Sequence, residues 1–273
     1  MTPYNGGAMK RFLPLLLLAA LPARADPFEH DCMIEARQAI EIRSPVEAVI
    51  EQVKVRRGDA VTRGQVLVEL AAGPERAALN LAKSRAEASG EIKSAQARVD
   101  IAQKKADRAL ELFKQNFISA NSRDEALAEL QLATEELRRA SENRQINELE
   151  AKRAGEVLAM RTIRSPLNGV VVEVLLKPGE FGAITFKDPI MRLAEIDPLH
   201  VEVVLPVSAY GRVKVKQRAT VTPEAPVGGT YQTTVKVVDP VVDAASGTFG
   251  VRLELPNAKR LIPAGVRCKV RFQ

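Results

Sequence analysis

Apolar and polar positions alternate over two short stretches that are near copies of each other. The stretch RSPVEAVIEQVKVRRGD runs from Arg43 to Asp59, and RSPLNGVVVEVLLKPGE runs from Arg164 to Glu180. The first copy continues as AVTRGQVLVEL to Leu70. Its apolar beats fall at Val49, Val53 and Val55, then at Val66, Val68 and Leu70. Gly58-Asp59 and Arg63-Gly64 punctuate them as turns, so the stretch predicts several short strands with tight connections. The second copy has turns at Lys177-Pro178-Gly179 and Lys187-Asp188-Pro189 and ends in PIMRLAEID. Gly58 and Gly179 fall at equivalent turns of the two copies. One copy holds too little strand to bury a two-sided sheet, but two matching halves packed face to face could.

The pattern between the copies changes period. From about Pro74 to Met160, Ala, Glu, Leu, Lys, Gln and Arg dominate, all strong helix formers. Pro74 suits a helix start, where its missing N–H costs little. A seven-residue seam follows through Ala78, Leu81, Ala88, Ile92, Ala95, Val99, Ala102, Ala106, Ala109 and Phe113, interrupted by Arg85. It breaks at QNFISANSRDE, where Asn121 or Ser122 can cap a new helix, with Asp124 and Glu125 in its first turn. A second seam reads Ala126, Leu130, Ala133, Leu137, Ala140, Ala151, Ala154 and Leu158. Two similar arms around a short break predict an antiparallel hairpin extending about 60 Å. The hairpin interrupts one small β-sandwich, leaving on one strand and returning on the other. So long an insertion is tolerable when its ends start close together. After Asp197 short strands return, separated by Pro, Gly and Asn turns, and predict a small antiparallel barrel, joined by a strand from near the N-terminus.

The first residues stand apart. Lys10 and Arg11 precede the apolar run Phe12 to Leu21, and Ala23-Arg24-Ala25 fits a signal-peptidase site before Asp26. Met9 is an alternative start. The run is too short to span a bilayer as a mature helix, so the expectation is an exported protein that is soluble or peripheral. The whole chain carries 40 basic and 34 acidic residues, a net +6, and loss of the leader's three basic residues leaves +3. That is too weak a bias for a nucleic-acid binder. Two cysteines, Cys32 and Cys268, invite a disulfide in an oxidising compartment, with two unrelated buried thiols as the alternative. Scarce aromatics and absent Trp argue against one large mixed core.

In order and spacing, SPVEAVIEQVKVRRGDAVTRGQVLVEL, the hairpin, TIRSPLNGVVVEVLLKPGEFG and VDAASGTFGVRLELPNAKRLIPAG resemble the periplasmic adaptor family, also called membrane fusion proteins. The resemblance implies an elongated multidomain α+β chain. Its expected parts are a signal peptide (1–25), an N-terminal strand near the barrel (26–40), a first lipoyl-like half (41–73), an α-helical coiled-coil hairpin (74–162), a second lipoyl-like half (163–196) and a β-barrel (197–273). It implies no enzyme activity and no cofactor. The implied role is that of an adaptor in a tripartite efflux pump of the resistance-nodulation-division type. Such an adaptor bridges an inner-membrane transporter and an outer-membrane channel in the Gram-negative periplasm, as a homo-oligomeric, six-membered ring held at the inner membrane through its transporter. Arg108, Leu112 and Ser119 match an R-x3-L-x6-S spacing that marks the channel-contacting hairpin tip in such adaptors. The architecture also brings the chain ends together, so that Cys32 and Cys268 are expected to pair. Many pump adaptors continue beyond the barrel into a membrane-proximal domain, whereas this sequence stops at Gln273. An adaptor of an ABC-type or type I secretion exporter is therefore an alternative.

Other classes fit less well. A lipoyl or biotinyl carrier displays a modifiable Lys where this chain has AAGPE, Ala71 to Glu75. For an enzyme there are only His30 and His200 and no nucleophile or phosphate-loop motif. For a metal-efflux adaptor binding its own cargo, Met33, Met160 and Met191 are too scattered to form an evident soft-metal site, and no metal site is expected.

Overall fold

The computed structural model describes residues 1–3, 29–182 and 189–273. Nearly all of the expected leader and the expected turn at Lys187-Asp188 lie outside the described residues. The chain forms strands β1 (Glu29–Ile42), β2 (Ala48–Val53), β3 (Ala60–Val61) and β4 (Val66–Leu70), then helices α1 (Gly73–Glu87), α2 (Gly90–Lys114) and α3 (Ala120–Ala159). Strands β5 (Thr162–Arg164), β6 (Gly169–Val174), β7 (Phe181–Gly182) and β8 (Met191–Pro206) follow. Then come β9 (Arg218–Pro223), β10 (Tyr231–Val238), β11 (Thr248–Leu255) and β12 (Val266–Phe272). They group into two compact units.

The larger unit holds Ile34–Val201 and Glu254–Val266. Here the two strand phrases are interlocked. The Gly58 N–H donates to the Val171 carbonyl at 2.8 Å, and the Gly179 N–H donates to the Ile50 carbonyl at 2.8 Å. The Val171 N–H donates to Asp59, and the Ile50 N–H to Glu180, both at 2.9 Å. Short strand β3 of the first copy pairs with β6 of the second, and β7 of the second pairs with β2 of the first. Each copy therefore completes the other's sheet. Ser44 and Ser165 both donate through their hydroxyls to the carbonyl two residues on, Val46 and Leu167. Gly58 (φ 89°) and Gly179 (φ 92°) supply the left-handed turn residues. Asp59 and Glu180 close those turns by accepting from the N–H groups of Arg56 and Lys177.

One core unites both halves, with Ile50, Leu67 and Leu70 from the first and Val171, Met191 and Leu193 from the second. The phase of β2 differs from the expected alternation. Ala48 and Ile50 face the core, whereas Val49 is exposed, and a bulge between Ile50 and Gln52 resets the strand. Gly169 is required by close approach, because a Cβ there would lie 2.2 Å from the Ala194 carbonyl oxygen.

The same unit carries the hairpin. Its second arm, α3, is one continuous helix that buries Ala126, Ala133 and Ala140, with Leu130, Leu137, Ala151, Ala154 and Leu158 half-buried. The first arm departs from expectation, because it is two helices. Ala88 has an extended backbone (φ −65°, ψ 114°) and separates α1 from α2. Beyond the break the expected seam holds, with Ala95, Ala102, Ala106 and Ala109 buried. Before it the phase is shifted by one: Leu79, Ala82 and Ala86 are half-buried, while Ala78, Leu81 and Ala88 are exposed. Leu79 packs against α3 beside Gly155. At the root, Arg161 donates to Glu75 at 2.6 Å and to the Glu47 carbonyl at 3.2 Å, joining α1 to the strand module.

The smaller unit holds Glu202–Leu253 and Arg267–Gln273, with the described start of β1. Its strands follow the order β1-β12-β9-β10-β11-β8, and β8 also pairs with β1, closing a ring. Every second side chain points inward: Val203 and Leu205, Ala219 and Val221, Val251 and Leu253, and Val270 and Phe272 are all buried. Cys32 and Cys268 are joined by a disulfide that ties the first strand to the last, with Cα atoms 4.8 Å apart. The Lys269 ammonium beside Asp31 holds the Asp31 carboxyl below its usual range, and Asp31 in turn raises Lys269. Residues Glu254–Val266 group with the larger unit, although the sequence places them within the barrel. There Asn257 donates to the carbonyls of Ile196 and Ile262, and its side-chain oxygen accepts from the Ile262 N–H.

Candidate functional site

Arg108, Leu112 and Ser119 lie at or near the hairpin break, and Ser119 takes a different role from the expected one. Helix α2 ends in a two-bond C-terminal motif. The Asn116 N–H donates to Phe113 at 2.9 Å and the Phe117 N–H donates to Leu112 at 2.9 Å. Asn116 takes the left-handed conformation (φ 59°) that this motif requires, and Asn is among the few side chains that adopt it readily. Four residues later α3 begins. Its cap is Ser119, not Asn121 or Ser122: the Ser119 hydroxyl accepts from the Ser122 N–H at 3.2 Å. Asn121 instead donates to Glu125 along the helix.

The break is thus a defined turn, closed at both ends by hydrogen bonds. The Arg123 guanidinium lies over the Phe113 ring, 4.3 Å from its centre, and also pairs with Asp124. Arg108 is exposed, and its Nε donates to the Lys104 carbonyl one turn back. Leu112 is 42% exposed and Phe117 is 73% exposed. Phe117 is the residue that sequence reasoning passed over. An aromatic side chain directly after a helix-ending Asn was the available signal, since it had no seam position to occupy. The turn therefore offers two apolar side chains and a cation, Arg108, within one short stretch.

The other candidates are placed elsewhere. Gly58 and Gly179 form the paired turns of the strand module, and Cys32 and Cys268 lie in the barrel. Met191 is fully buried in the core and Met160 is exposed at the end of α3. His30 lies against Phe272 at a ring separation of 6.3 Å. Among the described residues no group of three His, Cys, Asp or Glu side chains could hold a metal ion, and no helix is long and apolar enough to cross a membrane.

Residues 198–273 match the family described as CusB-like, beta-barrel domain. The chain is 26% identical over 262 aligned residues to the multidrug resistance protein MdtE of Escherichia coli K12, covering 88% of this chain and 60% of that protein. It is 26% identical over 225 residues to the nodulation protein NolF of Rhizobium meliloti, covering 82% of this chain and 57% of the relative. It therefore spans less than two thirds of the length of these curated relatives. Among solved structures, MacA from Actinobacillus actinomycetemcomitans matches at a TM-score of 0.68 and 20% identity, covering 90% of this chain and 79% of that one. The membrane fusion protein Spr0693 from Streptococcus pneumoniae matches at a TM-score of 0.61 and 16% identity, covering 90% of this chain and 98% of that one. The protein thus has the fold seen in these solved structures, and its residues 198–273 are similar to the CusB-like β-barrel domain.

Proposed function

We propose that the protein is a periplasmic adaptor of an envelope-spanning efflux system, joining an inner-membrane transporter to an outer-membrane channel without doing chemistry of its own. In this reading the interlocked strand module is lipoyl-like, six copies form a ring, and the ring sits at the inner membrane through its transporter. The observation that carries it is the hairpin tip: Leu112, near the end of α2, and Phe117, in the turn, are exposed apolar side chains, with the exposed cation Arg108 one helical turn before Leu112. Such a tip is built to meet a partner rather than to hold the fold. Similarity to a multidrug resistance protein supports efflux as the process served. The disulfide suits an oxidising compartment.

Arg108 and Leu112 are assigned to the channel contact, with Phe117 added to them. Ser119 is assigned first to capping α3, so its substitution reports folding as well as contact. Arg108→Asp and Leu112→Asp should leave export and melting nearly unchanged, since surface changes usually stay within about 0.5 kcal/mol. Both should lose channel crosslinks in cells and lose efflux. Full efflux with normal crosslinks in both variants would refute the tip assignment.

A further inference from the structure

The β8–β9 connection of the barrel carries a charge pattern that the efflux reading does not use. From Val203 to Pro223 there are four basic residues, Arg212, Lys214, Lys216 and Arg218, and no acidic one. All four are exposed, and none has an ion-pair partner among the described residues. Interleaved with them are apolar side chains that point outward: Val207, Tyr210 and Val215 are each about half exposed.

The segment is ordered. Its short 3-10 turn over Val207–Ala209 buries Ala209, and Val213 anchors its middle. The Val207 N–H donates to Gly247, the Lys216 N–H donates to Val235, and the Gln217 side chain donates to the Gln273 carbonyl. These bonds place the segment at the barrel end shared with the β10–β11 loop and the last residue of β12. That loop adds an exposed Val241. It also carries Asp239 and Asp243. The Asp243 carboxylate accepts from the Ala245 and Ser246 N–H groups, which hold it below its usual range and occupy it within its own loop.

We infer that this end of the barrel is a membrane-docking surface that binds the headgroup layer of an anionic lipid bilayer. Single apolar side chains between flexible cations suit an interface that is apolar below and negatively charged above. Tyr210 has the amphipathic side chain favoured at that depth. A protein partner is the weaker match, since protein interfaces are depleted of Lys and their cores of charged residues. Lys214 and Lys216 are compact charges on flexible stems, and the planar forks of Arg212 and Arg218 match phosphate oxygens, so the four together suit an array of phosphates.

The test uses the exported protein purified from the cell envelope, mixed with phosphatidylcholine vesicles with or without phosphatidylglycerol. Sedimentation should carry the protein down with the anionic vesicles only, and raising salt should release it. An Arg212→Glu, Lys214→Glu double variant should bind at least tenfold more weakly, at roughly fivefold for each cation removed. Val215→Asp should also weaken binding, and all variants should keep the parent's melting temperature. A Lys83→Glu, Lys93→Glu variant, with the same charge change on the hairpin, should bind like the parent. Equal binding to both vesicle types, no binding, or full binding by the barrel variant would overturn the proposal. So would segment 207–218 crosslinking in cells only to a protein and not to lipid. Vesicle binding and channel crosslinking at the hairpin tip can each fail while the other persists, so the two readings are separable.

Discussion

In the strand module, close backbone contacts between the two copies come in reciprocal pairs. Gly58 bonds Val171 and Gly179 bonds Ile50, while β3 and β7 each complete the other copy's sheet. In the hairpin the two arms share no such backbone bonds. They meet through a thin line of alanines, held at the edges by exposed pairs such as Arg98–Glu136 and Lys105–Glu129. Exposed pairs of this kind contribute little, about 0–1 kcal/mol each. The strand module therefore behaves as one cooperative body, and the hairpin as a local, length-dependent one. The difference suits a base that holds position and an arm that reaches.

The largest expected effect lies in the shared core. Leu67 is fully buried between the halves, so Leu67→Ala should cost about 2–5 kcal/mol in urea denaturation. Leu137→Ala, on the half-buried seam of α3, should cost less than about 2 kcal/mol. Equal losses would mean that the hairpin is as tightly coupled as the strands.

The next test addresses the reciprocity itself. Gly58 and Gly179 share a left-handed backbone in open space, so only strain opposes a side chain there. Gly58→Val and Gly179→Val should each cost about 1–2 kcal/mol, by similar amounts. A large effect at one turn and none at the other would show that the copies are not equivalent energetically.

A smaller effect is expected at the tip. Ser119→Ala removes the α3 cap and should cost about 1 kcal/mol, while Ser119→Asp, which also caps, should cost almost nothing. If both variants lose channel crosslinks although only the first loses stability, Ser119 has a contact role beyond its cap. If Ser119→Asp keeps the crosslinks, capping is its whole contribution.

The order of elements could be read along the chain because each rests on a local pattern: period two in the strands, period seven in the arms, and Gly at the turns. The repeat also places Gly58 and Gly179 at equivalent positions of the two copies, and both have a left-handed backbone. What the pattern did not contain were one-residue shifts set by the backbone. A bulge after Ile50 turned Val49 outward, and a break at Ala88 moved the α1 seam from Ala78 and Leu81 to Leu79 and Ala82. Arg85 in the seam and the dipeptide Ser89-Gly90 are the local signals of that break. At the tip, the spacing of Arg108, Leu112 and Ser119 led to the turn but not to Ser119's hydrogen bond. Ser119, Asn121 and Ser122 have similar capping propensity, and only the turn geometry chooses among them.

The break in the first arm offers the smallest and most local test of the comparison. Across the break the half-buried and buried positions of the first arm fall at Ala86, Ser89, Ile92 and Ala95, three residues apart each time. The opposite arm carries Arg144 and Asn147 on its seam, so from Ala140 to Ala151 that seam holds no apolar residue. Helix α1 buries no residue at all, whereas α2 buries four. The proximal part of the hairpin therefore packs through half-buried side chains such as Leu79, Ala82 and Ala86, with Arg161 meeting Glu75 at the root, and the distal part through its buried alanines. Gly90, the first residue of α2, has open space where a Cβ would stand and a backbone that any residue can adopt. Gly90→Ala should therefore stabilise the hairpin by about 0.5–1 kcal/mol through the unfolded chain and helix propensity. Amide exchange should slow in α2 and in the facing part of α3, while the strand module remains unchanged. Slower exchange in the strand module as well would show that the break transmits to the base and that the two regions are one cooperative unit.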